Sequence, residues 1–218
     1  VLLGATQAGK TTLMRLMAAL MAPSEGSVRV AGFDGVEDAD TVHAVTGYMP
    51  QRFGLYEDLS VMQNLHLHAE LRGLDAGSGG ELFDRLLTFT GLAPFSKRLA
   101  GALSGGMKQK LQLICALIHT PKGLLHDEPT NGVDPVSRRD FWRILNRLRE
   151  EQVAVLVTTA YLDEAERCDR VGLIDQGRLL AVGTPGEIKK LMEGRILAIR
   201  STEARLIVSL LSGKPFSK

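Results

Sequence analysis

The stretch Gly4-Ala5-Thr6-Gln7-Ala8-Gly9-Lys10-Thr11-Thr12 restricts this chain more than any other. It fits G-x-x-x-x-G-K-[ST] and lies between a short apolar run, Val1-Leu2-Leu3, and an amphipathic segment, residues 13–21. Each part has a physical use. Glycines let the backbone bend until several N–H groups converge on one concave anion site. The helix that starts where the loop ends aims its positive dipole end at the same place. Lys10 adds a point charge for β- and γ-phosphates, and Thr11 a hydroxyl for Mg²⁺. The motif demands strand, loop and helix in that order.

At 218 residues the chain can bury a large core, as one domain or two lobes. A net charge of +1 supplies no basic field of the kind that attracts nucleic acid. The two cysteines, Cys115 and Cys168, are too few for a disulfide framework, and a reducing compartment is expected. No stretch reaches the ~18 apolar residues that span a bilayer, and no secretory signal is visible. The expected location is the cytoplasmic side, with any membrane served through a partner. The sequence opens inside a loop strand without a Met, so further residues are expected upstream.

The rest of the chain alternates strand and helix. Leu13, Leu16, Met17, Leu20 and Met21 share one helical face, ended by Pro23. Residues 26–31 alternate like an edge strand, with Gly32 as a turn, and residues 45–49 form a strand running into Pro50-Gln51. Residues 55–59 read as loop. Helices follow over 61–72 and 81–90, the second with Leu82, Leu86 and Phe89 on one side; a Gly/Ser-rich connector, 73–80, joins them. Residues 55–118 thus read as a mainly helical insertion. Strands are then expected at 123–126, 153–157, 171–174 and 179–182, with helices over 136–151, 162–167 and 184–192. This rhythm predicts an α/β fold: a phosphate-loop core with a mostly parallel sheet, plus a helical subdomain. The core domain is expected over residues 1–192, and residues 193–218 form a tail with no assigned structure.

Two further stretches carry chemistry. Leu124-Leu125-His126-Asp127-Glu128 is an apolar strand ending in two carboxylates. In phosphate-loop enzymes such a strand is expected beside the loop strand, delivering an Asp to Mg²⁺. Asp127 fits that role through a bound water, and Glu128 stands where a carboxylate polarises an attacking water. The bland reading is a strand ending in a turn with solvated acids, since Glu-Pro-Thr-Asn-Gly forms turns readily. His126 is expected to make a core hydrogen bond rather than bind a metal. Ser104-Gly105-Gly106 precedes a helix whose face is Leu111, Ile114, Cys115 and Ile118. Its bare N–H groups and hydroxyl suit a second anion, or Ser104 is simply an N-cap.

The order of residues 4–12, Tyr48-Met49-Pro50-Gln51, residues 103–109, residues 125–129 and Gly132-Val133-Asp134-Pro135 resembles the ATP-binding cassette (ABC) ATPases. The runs Phe53-Gly54-Leu55-Tyr56-Glu57-Asp58-Leu59 and Asp163-Glu164-Ala165-Glu166-Arg167-Cys168-Asp169 look like the ATPase subunits of bacterial multidrug or daunorubicin-type exporters. The resemblance implies a head-to-tail pair of cassettes with two ATPs at the interface. Each ATP would lie between residues 4–12 of one cassette and Ser104, Gly105 and Gly106 of the other. It implies Mg²⁺ held by Thr11, Gln51 and Asp127, catalysis by Glu128, Lys10 and Gln51, and a role for Asp134 in joining the two sites. It also implies an integral membrane permease as partner, docking near Gln51 and residues 55–72, on the cytoplasmic face of the cell membrane. No nucleic acid is expected. Two other readings share these motifs: a soluble ABC ATPase acting on ribosomes, and a non-hydrolysing regulatory cassette.

Three departures from that family stand out. Ala160 occupies the place of a His that contacts the γ-phosphate, and a methyl cannot donate a hydrogen bond. Gln7 stands where the family's loop carries Gly, which brings strain if the position needs a positive φ. The aromatic that stacks on adenine would lie upstream. The remaining candidates are ordinary. His66 and His68 diverge on a helix and make poor co-ligands, and His43 and His119 are lone surface or capping residues. Arg138, Arg139, Arg143, Arg147 and Arg149 read as a solvated helix face, and Trp142 alone makes no stacking platform.

Overall fold

Leu2 and Leu3, both buried, make up strand β1 (Leu2–Leu3) at the middle of the sheet in the computed structural model, which describes residues 1–52, 54–74, 79–130 and 132–191. The chain continues through α1 (Lys10–Met17), the hairpin β2 (Arg29–Val30) and β3 (Phe33–Asp34), α2 (Ala39–Val45) and β4 (Thr46–Met49). Helices α3 (Val61–Leu71), α4 (Gly80–Thr90) and α5 (Gly105–Leu117) come next, with two short 3₁₀ turns before α5. The last part alternates β5 (Gly123–Asp127), α6 (Pro135–Glu150), β6 (Ala154–Thr159), α7 (Leu162–Ala165), β7 (Val171–Asp175), β8 (Arg178–Gly183) and α8 (Pro185–Leu191). The expected tail, 193–218, and the middle of the 73–80 connector lie outside the described residues.

Six strands form the main sheet in the order β4-β5-β6-β1-β7-β8, all neighbours parallel except the pair β7–β8. Parallel neighbours cannot be joined by tight hairpins, so helices cross over the faces. Their carboxyl ends share one edge, the usual ligand crevice of an open α/β sheet. That edge carries the loop after β1, Pro50-Gln51 after β4, Glu128 after β5 and Ala160 after β6. The acid strand β5 was expected beside β1 from its motif, and it does not run there. Strand β6 lies between them, and Thr158 is in register with both Leu2 and Asp127.

Three local expectations change. Helix α1 begins at Lys10 and stops at Met17, because Ala19 adopts φ 53 and reverses the chain. Leu20 and Met21 are therefore exposed, at 56% and 46%, and Pro23 is not the terminator. Within 26–31 only Arg29–Val30 is strand, and it pairs with Phe33–Asp34 outside the main sheet. The residues between them, Ala31 and Gly32, have φ 52 and 90, the left-handed pair that suits a two-residue hairpin. Helix α2 had no forecast: only Val42 is buried in it, too little for a readable period. On α4 the buried side is Phe83, Leu86, Leu87 and Thr90, with Leu82 and Phe89 only partly buried against the core. One buried cluster runs from Val61 and Phe83 through Leu111 and Ile114 to Leu124 and Phe141, so α5 is a wall shared by the helical region and the sheet.

Candidate functional site

The loop is held at both ends by main-chain bonds. Gly4 N–H donates to Thr159 O at 3.2 Å and Gly177 N–H to Ala8 O at 2.9 Å. Gly9 caps α1 with φ 101, a conformation in which a side chain is strained. Gln7 has φ 67, so the strain expected of a non-glycine there is present. Ala5, Thr6 and Gln7 are exposed and Ala8 is buried, while Thr11 is half-buried and Thr12 exposed. Lys10 is 4% exposed, and its Nζ donates at 2.9 Å to both Gly4 O and Ala5 O.

Glu128 joins the loop to two other strand ends. Its Oε1 lies 3.1 Å from Lys10 Nζ, and its Oε2 accepts from Gln51 Nε2 at 2.9 Å. The Glu128 backbone has φ 48, and its N–H donates to Thr158 Oγ1 at 2.9 Å. The same hydroxyl donates to Asp127 Oδ1 at 2.5 Å. One buried threonine thus sets both acids, a role that the sequence reading did not assign. The second oxygen of Asp127, Oδ2, is buried without a hydrogen-bond partner among the described residues. Thr11, Gln51 and Asp127 offer only oxygens as ligands, a hard set that suits Mg²⁺. The orphaned buried carboxylate oxygen of Asp127 is the observation that fits such an ion.

Beyond Glu128 lies a cavity of about 110 Å³ lined by Thr6, Glu128, Thr130, Thr159, Ala160 and Tyr161. Ala160 is in its wall, where it presents a methyl and no donor. Thr130 and Thr159 both donate through Oγ1 to Glu164, a carboxylate 1% exposed, the second at 2.6 Å. The stretch holding Glu164 drew attention as a family marker only.

Ser104, Gly105 and Gly106 do not line this cavity; they stand at the start of α5. Ser104 Oγ accepts from Met107 N–H at 3.3 Å, so the N-cap reading holds as well. A Cβ on Gly106 would fall 2.4 Å from Ser137 Cβ, whereas one on Gly105 would meet nothing within 4 Å. Asp134 caps α6 by accepting from Val136 and Ser137 N–H at 3.0 Å each, and the Ser137 side chain foremost, followed by these N–H groups, holds its carboxyl below the usual range. The start of α5 therefore abuts the segment that carries Asp134.

The other candidates divide cleanly. His126 is wholly buried, its pKa pushed down to about 3 by desolvation. Its Nδ1 has no hydrogen-bond partner among the described residues, and the ring packs edge-on to Phe141. His66 packs on Phe83, and His119 Nε2 meets Thr46 O at 3.0 Å. Among the described residues no group of three His, Cys, Asp or Glu could hold a metal. Arg143 pairs with Asp140 and Arg149 with Asp169 on the outer face of α6. Arg138 departs from that face: it turns to Glu164 and stacks over Tyr161. Both cysteines are free. Among the described residues no helix is long and apolar enough to cross a membrane.

Residues 1–131 match the family model described as ABC transporter. The chain is 52% identical over 200 residues to the probable multidrug ABC transporter ATP-binding protein YbhF of Escherichia coli (strain K12), covering 92% of this chain and 35% of that protein. It is 37% identical over 205 residues to the daunorubicin/doxorubicin resistance ATP-binding protein DrrA of Streptomyces peucetius, covering 94% of this chain and 62% of that one. It spans about a third of the first relative and under two thirds of the second. A solved ATP-binding subunit of an ABC transporter superposes with a TM-score of 0.76 at 28% identity, covering 96% of this chain and 86% of that one. A dimeric ATP-binding cassette bound to ADP and Pi superposes at 0.74 with 25% identity, covering 84% of each chain.

Proposed function

Because the chain belongs to the ABC transporter family of ATP-binding cassettes, we propose that it binds and hydrolyses MgATP and so powers export by a membrane partner of the drug-resistance type. The observation that carries the reading is the meeting of Lys10, at the start of α1, with Gln51 and Glu128, which follow β4 and β5, next to the buried Asp127. Residues 4–12 cradle the phosphates with backbone N–H groups, and Lys10 leaves Gly4 O, Ala5 O and Glu128 to meet them. Glu128, released from that ion pair, is then the base that orients the attacking water. Thr11, Gln51 and Asp127 hold Mg²⁺, which neutralises phosphate charge when bound. Phosphoryl transfer needs mainly this positioning and charge neutralisation.

The site is completed by a second cassette. Gly105 is exposed and its missing Cβ would touch nothing among the described residues, which fits a close approach by a phosphate bound to another subunit. The membrane partner docks near Gln51 and residues 55–72, on the cytoplasmic face. Ala160 favours a second reading, a regulatory cassette that binds ATP without hydrolysing it, because losing one transition-state donor commonly costs ~10²–10³ in rate.

Turnover of the wild type, Glu128→Gln and Ala160→His decides. The expected outcome is slow wild-type hydrolysis, abolished by Glu128→Gln and raised by Ala160→His. Wild-type turnover that survives Glu128→Gln overturns the catalytic assignment. ATP binding without turnover in the wild type, restored by Ala160→His, establishes the second reading.

A further inference from the structure

We propose that Glu164 is a positioning residue that locks the end of β6 to the turn after Glu128, so that these two parts of the wall of the cavity beside Ala160 hold one geometry. The inference rests on the ATPase reading for its functional meaning and on the contacts below for its geometry. A buried carboxylate is costly to desolvate unless its oxygens are satisfied. Both oxygens of Glu164 are used, and by different segments. Oε1 accepts from Thr130 Oγ1, in the turn between Glu128 and Asp134, and Oε2 accepts from Thr159 Oγ1, the last residue of β6.

The hydroxyl of Thr159 is engaged both as donor and as acceptor. It donates to Glu164 and accepts from Tyr161 N–H at 3.0 Å, which fixes Ala160 between two tied residues. Arg138, on α6, adds a third attachment: its Nε lies 3.8 Å from Glu164 Oε1 and its guanidinium 4.7 Å above the Tyr161 ring. Helix α7 has only four residues and little stability alone. Its hold on the sheet comes from the neighbouring Ala165, buried with Leu3, Val171 and Ile188. Glu164 therefore ties Thr130 to the sheet residue Thr159, which in turn holds Tyr161, and these are three of the cavity's six lining residues.

The test uses the full chain with Thr159→Val, Thr159→Ser and Glu164→Gln. Without nucleotide, amide exchange at Tyr161 is expected to rise about tenfold in Thr159→Val while β5 and β7 are unaffected, since the lost bond is local. Binding of a fluorescent ATP analogue stays within about twofold, turnover falls about tenfold, and Thr159→Ser restores both exchange and turnover. Glu164→Gln, which leaves one hydroxyl without an acceptor, is expected to loosen the same amides. Unchanged exchange and turnover in Thr159→Val overturn the proposal. So does exchange that rises throughout the sheet with binding and turnover falling together, which marks a general staple. If the wild type shows no turnover, the ATPase reading fails, and the nucleotide-free exchange and its rescue by serine alone decide the role of Glu164.

Discussion

His126 shows how one residue's environment sets a property of the whole chain. Burial keeps its imidazole neutral in the folded state down to about pH 3, while an exposed imidazole titrates near 6.5. Above pH 6.5 both states are neutral and nothing is at stake. Below it the unfolded chain binds a proton that the folded chain refuses, so stability falls by ~1.4 kcal/mol per pH unit until the folded pKa is reached. His126→Leu removes this dependence. Between pH 7.5 and 5, urea unfolding of the variant is expected to lose about 2 kcal/mol less stability than the wild type. An equal loss in both shows that other groups carry the acid sensitivity. At this scale the sequence was most legible where a residue's chemistry is its role, as for Lys10, and least legible where a neighbour lends the role. Thr158 and Glu164 carry no signal of their own: a threonine and a glutamate near a strand end are common. Only pairing across the sheet brings Thr158 against Asp127 and under the N–H of Glu128.

At the scale of elements, the start of α5 separates two glycines that looked alike. Gly106 is needed because α6 packs against it at Ser137, whereas Gly105 has no such neighbour. Gly106→Ala is expected to cost about 1–3 kcal/mol by overpacking. Gly105→Ala is expected to change stability by no more than about 0.5 kcal/mol, while weakening ATP-dependent pairing of cassettes. Denaturant melts of the two variants check the first claim and sedimentation with ATP the second. Equal destabilisation by both would mean that Gly105 is also a packing residue. Helix α5 was readable because it buries a clear periodic set, Leu111, Ile114 and Cys115, continued by Ile118, and β5 because its short apolar run is buried. The end of α1 was not, because Ala19 in a left-handed conformation breaks the helix and no propensity for alanine predicts that.

At the scale of the molecule, the proposed pairing of two cassettes around ATP carries a direct expectation. In Glu128→Gln the glutamine keeps its size but cannot act as a base, so ATP should persist and the chain should run as a dimer with MgATP and as a monomer without it. Sedimentation velocity measures this, and a monomer under both conditions removes the composite-site proposal. Docking of a membrane partner is also affected by what the structure joins. Glu57 pairs at 2.6 Å with Lys108, one turn into α5. Charge reversal at Glu57 therefore disturbs α5 as well as any docking surface, and Asp58 is the cleaner position to probe.

The sequence by itself determined the phosphate loop, the acids of β5, the α/β rhythm and the family, because these depend on residue type, short spacing and local period. Tertiary structure alone decided that β6 separates β5 from β1, that Lys10 is held by Glu128, and that Glu164 ties Thr130 to Thr159. Each of those facts depends on which distant segments become neighbours. Strand order sets that, and no local pattern in the chain encodes it.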